Sequence, residues 1–225
     1  MISLPVGASP PRSREMKPAS RKITIGIVAT SAAVPQIELE YGVSRLREQG
    51  FEVRVHPVVS RQHRFFAGTD LERATALLEY ARDPSIDIIW CARGGSGAAR
   101  VIEIVSRARG IPRGKLLLGY SDVTALLEFA RTQWGWQTVH SPMPGTREFS
   151  LLPPQDWKAL MGVVGAFASG KSMPVLSHRL KYIGSVRPKA AIEAPLVGGN
   201  MTVWDTLVGT PFEAWRAGGS CFSRM

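Results

Sequence analysis

One pattern restricts the fold of this 225-residue chain more than any other: strand-like apolar runs alternate with helix-length amphipathic segments from residue 23 to residue 141. ITIGIVAT (23–30) is β-branched and apolar at successive positions, as a strand buried on both faces must be. Pro35 to Gln49 places Ile37, Val43 and Leu46 near helical spacing, and Gly50 stands where a C-cap belongs. FEVRVHPVV (51–59) alternates like a strand. Thr69-Asp70 opens a helix with Leu71, Ala74, Leu77, Leu78 and Ala81 on one face, and Asp83-Pro84 closes it. IDIIWCA (86–92), KLLLGY (115–120) and QTVHS (137–141) read as three further strands, separated by helices over Gly97–Arg109 and Val123–Gln133. This alternation builds right-handed βαβ crossovers and therefore a parallel, doubly wound α/β sheet. Ligands of such sheets bind at the carboxyl ends of the strands. Those ends are Thr30-Ser31, Arg93 to Gly97, Ser121-Asp122 and His140-Ser141.

Beyond residue 141 the pattern weakens. Pro144 to Pro154 reads as a linker, Asp156 to Phe167 as a helix broken by Gly170 and Pro174, and LVGGNMTVWDTLVGTP (196–211) as a Gly-rich turn and a helix closed by Gly209. Hydrophobic residues at 44% and charged residues at 20% suffice for a core. No apolar run reaches the roughly 18–20 residues of a membrane span, so no membrane partner is expected. Two cysteines, Cys91 and Cys221, cannot staple a fold and point to a reducing cytoplasm. A net charge of +10 raises nucleic acid as a partner. However, +4 of it falls in residues 1–22, a basic leader expected to be disordered and lacking the apolar core of a signal peptide. No recognition helix or aromatic-basic pattern supports nucleic acid, which ranks last among the partners.

Two motifs sit at strand exits. In GYSDVT (119–124) a strand runs straight into a helix with Ser121 at the corner. Gly119 allows close backbone approach, a serine at such a corner is lifted off the sheet edge, and the amide after it points where an oxyanion would form. Taken alone the hexapeptide fits an N-cap better, because Ser and Asp cap helices without any catalytic role. In ARGGSGAAR (92–100) consecutive glycines after a strand expose backbone N–H groups ahead of a helix, a ready anion site, with Arg93 and Arg100 as candidate carboxylate partners. Neither a dinucleotide fingerprint nor a P-loop is present. Of His56, His63, His140 and His178, His140 is the best placed to serve as a base for Ser121, being at a neighbouring strand exit. No spacing of His, Cys and acids suggests a metal site.

Together and in this order, IGIVATSAAV (25–34), FAGTDLERA (66–74), DPSIDIIWCARGGSGAAR (83–100), LLLGYSDVTALL (116–127), VHSPM (139–143) and the 196–211 block resemble the LD-carboxypeptidases of serine peptidase family S66. That family includes muramoyltetrapeptide carboxypeptidases and microcin-C self-immunity peptidases. Six ordered blocks outweigh the N-cap reading of Ser121. The resemblance implies an N-terminal doubly wound nucleophile domain (23–145), connecting elements (146–195) and a smaller β-rich C-terminal domain, of which residues 196–225 are the opening part. It assigns Ser121 as nucleophile, the amides of Asp122 and Gly95 as oxyanion hole, and Arg93, Gly94, Ser96 and His140 to substrate binding. The implied activity is release of the terminal D-Ala from murein tetrapeptides through an acyl-enzyme, without metal or cofactor, in cytoplasmic cell-wall recycling.

The chain departs from the family in three places. Ser96 replaces a commonly bulkier residue, and His-Ser-Pro stands for His-Gly-Pro at 140–142. The third departure is the end. RAGGSCFSRM replaces a strand of the type Leu-Phe-Leu-Glu-Asp, the family source of the triad Glu, with the His later still. A one-base deletion would account for this tail and leave a product with little or no turnover. Such a product is expected to expose Trp204, Leu207 and Phe212 and to self-associate, a homodimer included. A peptide- or anion-binding module without turnover is the alternative function.

Overall fold

The computed structural model describes residues 22–172, 196–213 and 220–221. The expected alternation is realised as β1 (Thr24–Val28), α1 (Gln36–Glu48), β2 (Glu52–Val55), α2 (Asp70–Arg82), β3 (Ile88–Cys91), α3 (Ala98–Val105), β4 (Leu116–Gly119), α4 (Thr124–Phe129) and β5 (Gln137–His140). The five strands form one sheet in the order β2-β1-β3-β4-β5, every neighbouring pair parallel. Right-handed crossovers put α2, α3 and α4 side by side on one face, while α1 packs with the short α5 (Arg147–Ser150) on the other. The chain runs from β1 outward to β2, then returns to the far side of β1 as β3, so the direction of winding reverses between β1 and β3. In open sheets that reversal opens a crevice at the carboxyl ends.

Burial follows position in the sheet. β1, β3 and β4 are buried at every residue, whereas the edge strands β2 and β5 are partly exposed. Trp90 on β3 is the largest fully buried side chain. Its indole N–H donates to the Pro142 carbonyl at 2.9 Å and its ring meets Phe149 edge-on at 5.4 Å, so the polar end of a core residue is satisfied. Trp134 and Trp136 also belong to the core, 4.7 Å apart.

Several boundaries differ from the sequence reading for identifiable reasons. The second strand stops at Val55, because Pro57 cannot donate to a ladder and opens a 3₁₀ turn over Pro57–Ser60. α3 ends at Val105, short of Arg109, since Arg107 to Gly114 offers no apolar stripe and contains Pro112. After α4 the helix widens into a π turn (Ala130–Trp134) and stops at Gly135 in the left-handed region, φ 66°. The supposed linker contains α5, capped by Thr146, and α6 spans Pro154–Ala168. Leu71 and Ile37, assigned to apolar helix faces, are 64% and 80% exposed. Each is the second residue of its helix, in the first turn.

In the last described segment, β6 (Leu196–Val197) pairs in parallel with β7 (Ser220–Cys221), and α7 spans Met201–Asp205. The apolar face expected to be exposed here is covered. Leu207 is buried, Val203 and Phe212 pack on the core, and Phe212 meets Phe129 edge-on at 5.6 Å. Trp204 is half-buried. Among the described residues no helix is long and apolar enough to cross a membrane.

Candidate active site

The turn after β4 is built around a strained serine. Tyr120 continues the strand in an extended conformation, Ser121 then adopts φ 60°, and Asp122 to Thr124 turn into α4. A left-handed conformation at a non-glycine residue costs free energy and persists where the surroundings force it. The forcing contact is visible at Gly119, where a Cβ would stand 2.6 Å from Val123 Cγ1. Only glycine lets the first helical turn fold back this tightly onto the strand. Ser121 is half-buried, and among the described residues its Oγ hydrogen-bonds to nothing.

Ser121 therefore caps no helix, but its neighbour does. The Asp122 carboxylate accepts from the Ala98 N–H at 2.9 Å, at the start of α3, and from the Ser31 hydroxyl at 2.6 Å, at the exit of β1. One buried side chain thus ties three strand exits together. Gly94 packs directly against Ser121, since a Cβ there would lie 3.1 Å from Ser121 Cβ. The exits of β1 and β3 are joined by the Ala32 N–H donating to the Gly94 carbonyl at 3.2 Å.

These residues open onto a cavity of about 360 Å³, lined by Arg93, Gly94, Gly95 and Ser121 together with Tyr120, Met143, Glu38, Arg147 and Glu148. Arg93 spends one N–H on the Ala33 carbonyl at 2.6 Å and presents the rest of its guanidinium to the cavity. Ser96 is exposed on the same turn and does not line the cavity. Nor does His140, which pairs in register with Gly119 at the end of β5 and meets the Tyr120 ring edge-on at 6.0 Å. The 196–211 block reaches the same corner. The Asn200 N–H donates to Thr124 Oγ1 at 3.0 Å, and a Cβ on Gly199 would be 3.3 Å from the His140 ring.

The remaining candidates lie elsewhere. Arg100 pairs with Asp70 at 3.4 Å and lies over Phe66, so it does not join Arg93. His56 is held by Glu79 at 2.8 Å and by the Val58 N–H at 3.1 Å. His63 pairs through its backbone with Phe66, and His178 lies outside the described residues. A larger cavity, about 450 Å³, lies between α1 and the exit of β2. Its charged groups are already engaged, Arg47 by the Val53 carbonyl and His56 by Glu79, and it has no part in the Ser121 corner. Among the described residues no group of His, Cys, Asp and Glu could hold a metal ion.

Sequence reasoning missed Tyr120, Glu38, Arg147 and Glu148. Burial pushes the Tyr120 hydroxyl above the ordinary tyrosine range, and the nearby Glu148 carboxylate raises it further. Its place directly before Ser121 was the available signal. Glu38 and the Arg147–Glu148 pair come from α1 and α5 and carry no local signature.

The comparisons agree with this geometry. The murein tetrapeptide carboxypeptidase of Pseudomonas aeruginosa is 25% identical over 194 residues, 83% of this chain and 60% of that protein. The muramoyltetrapeptide carboxypeptidase structure from Oxalobacter formigenes is 26% identical with a TM-score of 0.65, covering 89% of this chain and 65% of that one. The wild-type apo structure of the microcin C7 self-immunity protein MccF has a TM-score of 0.68 at 21% identity, covering 92% and 69%, which shows the shared fold. The chain spans about half the length of the first curated relatives it matches. Residues 25–141 match the LD-carboxypeptidase N-terminal domain of peptidase family S66, and the chain, with its serine at the β4 corner inside that match, belongs to this family of serine carboxypeptidases.

Proposed function

We propose that residues 23–145 are the nucleophile domain of a serine LD-carboxypeptidase that releases the terminal D-Ala from murein tetrapeptides in cytoplasmic cell-wall recycling. The observation that carries this is the strained Ser121, φ 60°, packed against Gly94 in a cavity. In the proposed reaction Ser121 Oγ attacks the amide carbonyl between the L-configured centre and D-Ala. The amides of Asp122 and Gly95 receive the developing oxyanion. Collapse breaks the C–N bond, the serine proton leaves with the D-Ala amine by way of a base, and water then hydrolyses the acyl-enzyme. Arg93 is suited to the D-Ala carboxylate, with Gly94 beside it in the cavity; Ser96 and His140, which do not line it, would meet only the part of a substrate that extends beyond it. Among the described residues no imidazole or carboxylate hydrogen-bonds Ser121 Oγ, so the base comes from outside that set or closes in with substrate.

The test is D-Ala release from a murein tetrapeptide by the purified protein and by Ser121→Ala. Release that the variant abolishes supports the reading, and release that survives Ser121→Ala overturns it. The unpartnered Oγ also favours a second reading, a peptide-binding module without turnover. Calorimetric titration with the tetrapeptide decides that one, and silence at millimolar ligand removes it.

A further inference from the structure

Arg73 is the least expected residue near the site. It lies on α2, outside the cavity, yet its side chain is fully buried. Nη1 donates to the Thr30 carbonyl at 2.6 Å, Nη2 bonds Asp70, and the guanidinium sits 4.9 Å over the Phe66 ring. Its Nε is buried and has no hydrogen-bond partner. Burying an ion is costly, and an orphaned buried N–H adds a desolvation penalty of its own. An apolar side chain such as methionine would carry neither penalty, so the position calls for something only this fork supplies.

That something is the spacing of two strand exits. Gly97 stands directly against the guanidinium, and a Cβ there would be 2.5 Å from Nη1 at a backbone φ of 114°. Arg73 therefore grips the exit of β1 at Thr30 and supports the β3 turn at Gly97. Asp122 does the complementary work with the opposite charge, gripping β1 at Ser31 and α3 at Ala98. Gly95, whose amide is the proposed second oxyanion donor, lies in the turn clamped between them.

We propose that Arg73 is a positioning residue for the oxyanion hole, holding the Gly94–Gly97 turn so that the Gly95 amide faces the carbonyl attacked by Ser121. The proposal rests on the nucleophile reading of Ser121. It predicts a loss confined to the tetrahedral state, because an oxyanion donor acts only there.

The experiment compares two probes on the purified protein: a peptide boronic acid, with boron in place of the scissile carbonyl carbon, and the same peptide ending in a carboxamide. The boronate forms a tetrahedral adduct on the serine, read by ¹¹B NMR and calorimetry. Arg73→Met is expected to weaken the boronate about tenfold or more, leave the carboxamide unchanged, and be partly rescued by Arg73→Lys. Equal boronate affinity in Arg73→Met, equal loss for both probes, or no rescue by lysine overturns the proposal. Should the methionine variant not fold, Arg73→Lys decides: it must fall between wild type and a tenfold loss on the boronate alone, and parity with wild type overturns the proposal. If wild type and Ser121→Ala treat the boronate alike, the nucleophile reading fails instead. The positioning claim is then read from the backbone amide resonances of Gly95 and Gly97, which must shift in Arg73→Met and return toward wild type in Arg73→Lys; unmoved resonances overturn it.

Discussion

Replacing Ser121 by glycine should make the protein more stable, and the structure sets the size of the effect. Ser121 holds φ 60°, and its Oγ bonds to nothing among the described residues, so its removal costs no hydrogen bond. A left-handed backbone costs an L-residue about 1–2 kcal/mol that glycine does not incur. Glycine returns roughly 0.5–1 kcal/mol of this through the greater freedom of its unfolded chain. The net gain for Ser121→Gly is about 0.5–1 kcal/mol, or about 1–4 °C in Tm at the usual 2–4 °C per kcal/mol for a chain of this size. Ser121→Ala is the control. It removes the same hydroxyl but keeps the Cβ and the strain, and should stay within about 0.5 kcal/mol of wild type. Thermal melting and urea titration of the three proteins under one buffer measure the ordering. A glycine variant no more stable than the alanine variant would refute the claim that strain is stored at this corner.

Gly119→Ala forces a Cβ to 2.6 Å from Val123 Cγ1 and should cost about 1–3 kcal/mol in urea titration, and less when introduced into a Val123→Ala background than into wild type, read as a double-mutant cycle. Burial pushes the Cys91 thiol up to about 12, so iodoacetamide at pH 8 should leave Cys91 unlabelled in the native protein and label it in urea, read by peptide mass mapping. Thr69→Ala removes the side-chain half of the α2 capping box, keeps the Thr69 N–H bond to Glu72, and should cost on the order of 1 kcal/mol at neutral pH. The hydrogen bonds from Thr69 hold the Glu72 carboxyl below the usual carboxylate range. Stability from that shift is present above the unfolded value and lost as pH falls through the folded one, so the deficit of Thr69→Ala should narrow below about pH 4.

The sheet was legible because its signal is redundant. Every residue of β1, β3 and β4 is buried, so composition alone marks those strands, and the capping box at Thr69–Glu72 marks α2 to the residue. The misreadings lie where one local rule competes with another. FEVRVHPVV alternates like a strand to its end, but the missing N–H of Pro57 stops the ladder. Trp204, Leu207 and Phe212 looked stranded because the sequence does not show that α4 offers them a face, with Phe129 beneath Phe212. At the site the motif was visible but its division of labour was not. Ser-Asp after a strand does cap a helix, as the simpler reading held, yet the cap is made by Asp122 and the helix is α3. A propensity attached to residue type cannot say which of three neighbouring helix starts a carboxylate will reach.

Most of the features that break local rules are gathered in one place, Arg64 at φ 56° in the loop before α2 being the exception. A non-glycine residue at φ 60°, a fully buried arginine with an orphaned Nε, and glycines at φ 118° and 114° at positions 95 and 97 all fall at the exits of β1, β3 and β4 or on the α2 side chain wedged under them. The serine and the arginine are each unfavourable alone, by about 1–3 kcal/mol for backbone strain and similarly for an unpaired buried donor, while the two glycines are there because only glycine takes those angles without strain. They are tolerable together because the strands that carry them are the three most deeply buried in the molecule, and a rigid sheet resists the relaxation that would release them. A fold that placed the same costs on its edge strands would relax them away. Rule-breaking of this kind concentrates where geometry must be held against relaxation, as at sites that act on substrate. Among the described residues, the corner between Gly94 and Ser121 is where the strained serine meets the turn that the buried arginine supports.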